Sequence, residues 1–159
     1  MSHRLLDIEN IGRIGQMFLS GDLLQKVLVD AYTWDEDEIN YDIPVFNALK
    51  ATLLKIERIN PDMRVAGRLW LWYGANRRMA IPVMRCTEEG GISHIIQPAS
   101  PALLAALRGG QTADEARADG RRVFYFPLRD STDTVVGALE LAEGTGVRPF
   151  VYRYDTVTR

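Results

Sequence analysis

Residues 122–141 constrain this fold most: Arg122-Val-Phe-Tyr-Phe-Pro-Leu-Arg-Asp-Ser-Thr-Asp-Thr-Val-Val-Gly-Ala-Leu-Glu-Leu141. The first run is aromatic and β-branched, the composition of a pleated, half-buried strand. It ends at Pro127-Leu128 and gives way to Arg129-Asp-Ser-Thr-Asp133, whose short polar side chains hydrogen-bond their own backbone in turns. The second run alternates with period two: Val135, Gly137, Leu139 and Leu141 against Val136, Ala138 and Glu140. Strand, polar turn and strand predict an antiparallel hairpin.

The rest of the chain divides into a helical first third and a sheet-rich remainder. Leu5, Leu6, Ile8, Ile11, Ile14 and Phe18 recur mostly at three- and four-residue steps, predicting a helix over 5–20. Asp22 is placed to cap a second helix over 22–32. After the acidic break Trp34-Asp-Glu-Asp-Glu38, Asp42 and Pro44 mark the start of a third helix. Its apolar face is Phe46, Leu49, Leu53, Ile56 and Ile59, and Asn60-Pro61 stops it. Residues 64–73 and 79–86 read as strands, with a short strand near 92–96. Ser100 and Pro101 open a short helix over 102–107 that Gly109-Gly110 ends. A further short helix is expected over 113–118, capped by Thr112, and the tail 150–154 alternates like a strand.

Length and charge narrow the function classes. At 159 residues the chain fits one domain with a sizeable core. The net charge of −2 speaks against the basic surface that nucleic acid requires. No apolar run approaches the ~20 residues of a membrane span, so neither nucleic acid nor membrane is an expected partner. Cys86 is the only cysteine; no intrachain disulfide is possible, which fits a reducing, cytoplasmic compartment.

These elements resemble the GAF family of small sensor modules. The similarity covers roughly residues 42–143. It lies in a helix, Val45–Ile59, running into a strand, Val65–Tyr73, and in the closing Pro127-Leu128, Arg129–Asp133 and Val136-Gly137-Ala138-Leu139. The resemblance implies an α/β (α+β) domain. Its antiparallel sheet would have five or six strands, with the N-terminal helices on one face and a roof of short helix and loop, residues 92–120, on the other. Residues 1–41 would be a helical extension and 144–159 an extended tail. Profilin- or roadblock-like layering is the alternative. Cys86 is followed by Thr87, not by the histidine common at bilin attachment sites. One thiol cannot complete the disulfide cycle of the GAF-type methionine sulfoxide reductases, and the Asn-Lys-x-x-x-Phe-x-x-x-Asp-Glu signature of cyclic-nucleotide GAF domains is absent.

Alternation along 65–73 puts Ala66, Arg68, Trp70 and Trp72 on one face and Val65, Gly67, Leu69, Leu71 and Tyr73 on the other. The aliphatic face suits packing on the 44–60 helix. Two tryptophans and an arginine can stack a planar ligand and pair with an anion, or else form core beneath the roof. Met84 and Cys86, with Phe124 and Phe126, would extend that wall, and Glu140 would face it as the partner of Arg68. The expected ligand-binding set is thus Arg68, Trp70, Trp72, Met84, Phe124, Phe126 and Glu140. No metal or cofactor is expected: His94 has no second ligand at a recognisable spacing, and Asp35, Asp37, Asn40 and Asp42 lack the glycine and glutamate of a calcium loop. Arg4-Leu-Leu-Asp7 reads as a helix ion pair. The expected function is a non-enzymatic, bacterial-type sensory or regulatory module. It would bind a small molecule or a partner protein and form a homodimer through its N-terminal helices. A ligand-free interaction module is the alternative, and a small enzyme using Arg68, Glu140 and His94 a third option.

Overall fold

The computed structural model describes residues 3–26, 32–33, 38–39, 44–59, 65–73, 79–85 and 97–143. In chain order the elements are α1 (His3–Phe18), α2 (Gly21–Lys26), β1 (Tyr32–Thr33), β2 (Glu38–Ile39), α3 (Pro44–Glu57), β3 (Val65–Tyr73), β4 (Met79–Arg85), β5 (Gln97–Pro98), α4 (Pro101–Gly109), β6 (Ala113–Ala116), β7 (Arg122–Arg129) and β8 (Val135–Glu143). Helix and strand mix as in an α+β protein. β1 and β2 form a small antiparallel pair of their own.

The long strands β4-β3-β8-β7 form an antiparallel sheet, extended at its two edges by the short segments β5 and β6. β7 and β8 form the expected hairpin, and β8 lies directly beside β3. The β3–β4 pair therefore occupies one half of the sheet and β6–β7–β8 the other. α4 connects the halves by passing over one face, against β6, β7 and β8. α1 and α2 pack against β7 and β8, and α3 against β3, on the opposite face.

Sequence explains most of this locally. Asp130 Oδ1 holds the hairpin turn by accepting from Thr132 N (2.9 Å) and Thr134 N (3.0 Å), and Asp133 takes the left-handed conformation at φ 65°. Pro127 lies beyond the last β7 residue paired with β6, where a strand tolerates proline. Its carbonyl accepts from Gln16 Nε2 of α1 at 2.8 Å. Gly12 allows α1 to approach this closely, because a β-carbon there would fall inside the Phe126 ring. Ser100 caps α4 by accepting from Leu103 N (3.3 Å), and Gly110 ends it at φ 68°.

Two local expectations are corrected. Asp22 does not cap α2. Ser20 does, accepting from Leu23 N (3.2 Å), while Asp22 accepts from Ser131 N (3.2 Å) and ties α2 to the hairpin turn. Residues 113–118 are not a helix capped by Thr112. Ala113–Ala116 is a strand, alternately half-buried and exposed, whose pairing with β7 outweighs its helical composition. The strand expected near 92–96, the acidic stretch 34–37, Asp42 and the tail 150–154 lie outside the described residues.

Candidate functional site

The two faces of the sheet carry different chemistry. On the α1–α3 face lie Leu69, Phe124, Phe126, Leu139 and Leu141, all buried and aliphatic or aromatic. On the α4 face Trp70, Val123, Tyr125, Ala138 and Ala142 pack against Ala102, Leu103, Ala106 and Leu107 of α4. The small alanines let the helix come close, and a row of polar side chains crosses the sheet beneath it.

That row follows the ladder register. Arg68 of β3 stands opposite Glu140 of β8, Glu140 opposite Tyr125 of β7, and Tyr125 opposite Ala113 of β6. Glu140 is only 4% exposed, and a carboxylate so deep needs partners for its oxygens. Trp70 Nε1 donates to Oε1 at 2.9 Å and Arg117 Nη2 donates to Oε2 at 2.7 Å. Burial works against the charge of Arg117, but Glu140 beside it prevails and raises the guanidinium above its ordinary value. The Tyr125 hydroxyl donates to Glu115 Oε2 at 2.9 Å, while Glu115 Oε1 accepts from Ala102 N, in the first turn of α4, at 3.3 Å. A carboxylate there also complements the positive end of the helix dipole. Burial, reinforced by the Glu140 charge, pushes the Tyr125 phenol well above its usual value. Glu115 thus ties the start of α4 to β6 and β7, while Glu140 joins β3 and β8 to Arg117, one residue past β6.

Arg68 stands at the end of this row with a different environment. Its guanidinium lies over the Trp70 ring, 5.3 Å from the centroid, and is partly exposed. Among the described residues it has no carboxylate within salt-bridge distance, because Glu140, the one in its register, is held by Arg117 and Trp70. Arg68 and Glu140 are therefore brought together, as expected, but the ion pair is Arg117–Glu140.

Of the expected wall, Trp70, Arg68 and Glu140 assemble. Phe124 and Phe126 do not join them. They stack on each other, centroids 6.3 Å apart, on the opposite face, where Phe126 lies under Gly12 of α1. Pleat alternation explains the correction: within β7 it is Val123 and Tyr125 that face α4. Met84 occupies the ladder position opposite Leu69, not beside Trp70, because the β3–β4 register shifts between Leu69 and Trp70. Trp72 lies opposite Ala80 in the same ladder, and its side chain, like Cys86 and His94, lies outside the described residues. Arg117, Tyr125 and Glu115 were missed. The signal for Arg117 and Glu115 was the alternation of 113, 115 and 117, hidden by reading that segment as helix.

Among the described residues no group of three or more His, Cys, Asp or Glu is placed to hold a metal ion, and no helix is long and apolar enough to cross a membrane. No protein-family model and no curated protein matches the chain.

Proposed function

We propose that the chain is a non-enzymatic sensory or regulatory module of GAF-like layering, working in the cytoplasm, that binds a small molecule on the α4 face and signals as a homodimer. The observation that carries the reading is Trp70. Its indole is fixed by Glu140 at 2.9 Å while its ring supports a guanidinium, Arg68, with no described counter-ion. A ligand bound there would bear through Glu140 and Arg117 on the far edge of the sheet. The homodimer surface is the end of α1 and the start of α2, where Met17 (81% exposed), Phe18 (68%), Ile14 and Leu23 put apolar side chains into solvent.

The second reading, a ligand-free interaction module, is favoured by a specific observation: both Glu140 oxygens are already satisfied within the chain. Native mass spectrometry of the purified protein separates the two. The sensor reading expects a retained or added small molecule on a dimer; a dimer that never carries one favours the interaction module.

A further inference from the structure

The tip of the β7–β8 hairpin touches helices of both faces, and Arg129 is its pivot. The Arg129 backbone abuts α2: a β-carbon on Gly21, the first residue of that helix, would collide with the Arg129 carbonyl. The Arg129 side chain reaches the other face. There its Nη2 donates to the carbonyl of Gly110, the residue that caps the end of α4, at 3.3 Å. Gly110 sits so close that a β-carbon on it would collide with the same Nη2. Two residues along the turn, Ser131 donates its N–H (3.2 Å) and its hydroxyl (3.3 Å) to Asp22 Oδ1 of α2. Bonds within the turn join these contacts. Arg129 Nη1 donates to the Asp133 carbonyl at 2.9 Å, and Asp130 N to the Thr134 carbonyl at 3.0 Å. At the base of the turn the ladder slips: Leu128 faces Gly137 but Arg129 faces Val135, so Val136 is an extra residue. Such a slip interrupts the pairing locally and bends the strand.

We propose that this turn couples the two helical layers: a displacement of α2 passes through Asp22–Ser131 and Arg129 to the C-terminal end of α4. Coupling between separate elements is carried by contiguous packed and hydrogen-bonded groups, and here every step is a contact between neighbours. Leu23, next to Asp22, belongs to the exposed apolar surface of α1 and α2, while α4 packs on the face that carries Trp70. The turn thus joins the dimer surface to the ligand face. The coupling itself needs neither a dimer nor a ligand; its use as a signal rests on the sensor reading and gives that reading a route.

Amide hydrogen exchange of the full chain, with no ligand added, tests the coupling, because protection reports local opening residue by residue. Asp22→Ala frees Ser131 N directly. It should also lower the protection of Gly110 N–H, which donates to the Ala106 carbonyl at the end of α4, by about threefold or more. The reciprocal variant, Arg129→Met, should lower by a similar factor the protection of Leu24 N–H, which donates to the Ser20 carbonyl in α2. Leu104 N–H, bonded to the Ser100 carbonyl at the start of α4, is the internal reference and should not change in either variant. Asp22→Asn keeps an acceptor for Ser131 N and should leave Gly110 as in wild type. Asp114→Ala removes an exposed ion pair with Arg122, away from the turn, and should do the same. A loss confined to Ser131 in Asp22→Ala, or a loss of equal size at Gly110 and Leu104, overturns the coupling. That result leaves the sensor reading standing, since no small molecule enters the measurement. A native mass spectrum that never shows a ligand sinks the sensor reading and leaves the coupling intact.

Discussion

The face of the sheet under α1, α2 and α3 differs from the face under α4 in what its side chains need. The first is mostly dry. Ile8, Leu24, Leu49, Leu53, Ile56, Leu69, Phe126, Leu139 and Leu141 are all 2% exposed or less, and they require only mutual contact and exclusion of water. The second mixes alanines with a chain of directed bonds through Trp70, Glu140, Arg117, Tyr125 and Glu115. Dry packing supplies stability without caring greatly about partner identity, whereas a polar network fixes each member in one geometry and penalises any vacancy. One sheet thus has a side built to hold together and a side built to hold particular groups in particular places.

The largest stability loss should come from the dry face. Phe126→Ala opens a cavity under Gly12 and should cost about 3–5 kcal/mol in chemical denaturation, with any ligand affinity retained in the folded fraction. Next comes Glu140→Gln, which removes the counter-charge of Arg117; because the Arg117 side chain is 35% exposed, solvent screens the charge left behind and the cost should be about 1–2 kcal/mol. A loss below about 0.5 kcal/mol would mean that the Glu140 bonds to Trp70 and Arg117 contribute little to the fold.

Glu57 on α3 breaks the dryness of its face of the sheet, and pH exposes it. Glu57 is 5% exposed. Its Oε2 accepts from Gly67 N at 2.6 Å, and its Oε1 has no hydrogen-bond partner among the described residues. Burial pushes this carboxyl up to about 8, against the lowering influence of the Gly67 N–H and of Arg58. The folded state thus keeps a proton that the unfolded chain releases near 4.5. The stabilisation is complete below that value, and it is lost as pH rises towards and through about 8, at no more than about 1.4 kcal/mol per pH unit. Glu57→Gln, which keeps an acceptor for Gly67 without a charge, should flatten the pH dependence between 5 and 9 and stabilise the protein by about 1–2 kcal/mol at the alkaline end. Urea titrations across that range check it; an unchanged slope in the variant would assign the dependence elsewhere. The smallest effect is expected at the surface. Asp22→Ala removes the tie to Ser131 and should cost less than about 1 kcal/mol.

How much was legible in the sequence follows the same division. Period-two alternation placed β3, β7 and β8 and located the turn at Arg129–Asp133, because one face of each strand had to be apolar. The 44–60 helix and the Ser100–Pro101 start of α4 were legible from their own caps and breakers. The polar row was only partly so. Arg68, Trp70 and Glu140 share a face by alternation within their own strands, but Arg117 reaches Glu140 from the residue just past an edge segment, Ala113–Ala116, that is strand only because β7 is there to pair with it. Phe124 and Phe126 were put on the wrong side because alternation within β7 does not say which set faces α4; that depends on its register with β8. Asp22 was misread for a like reason: its acceptor role is set by Ser131, more than a hundred residues away.

The central claim is that the Trp70 face recognises a ligand and the Phe124 face does not. Thermal melts of wild type, Trp70→Phe and Phe124→Leu, each with and without cell-extract metabolites, test it most directly. The account predicts that extract raises the melting temperature of wild type and of Phe124→Leu by the same increment, though the latter starts lower, and that the increment disappears in Trp70→Phe. An increment that survives in Trp70→Phe and vanishes in Phe124→Leu, or no increment in wild type, would contradict it.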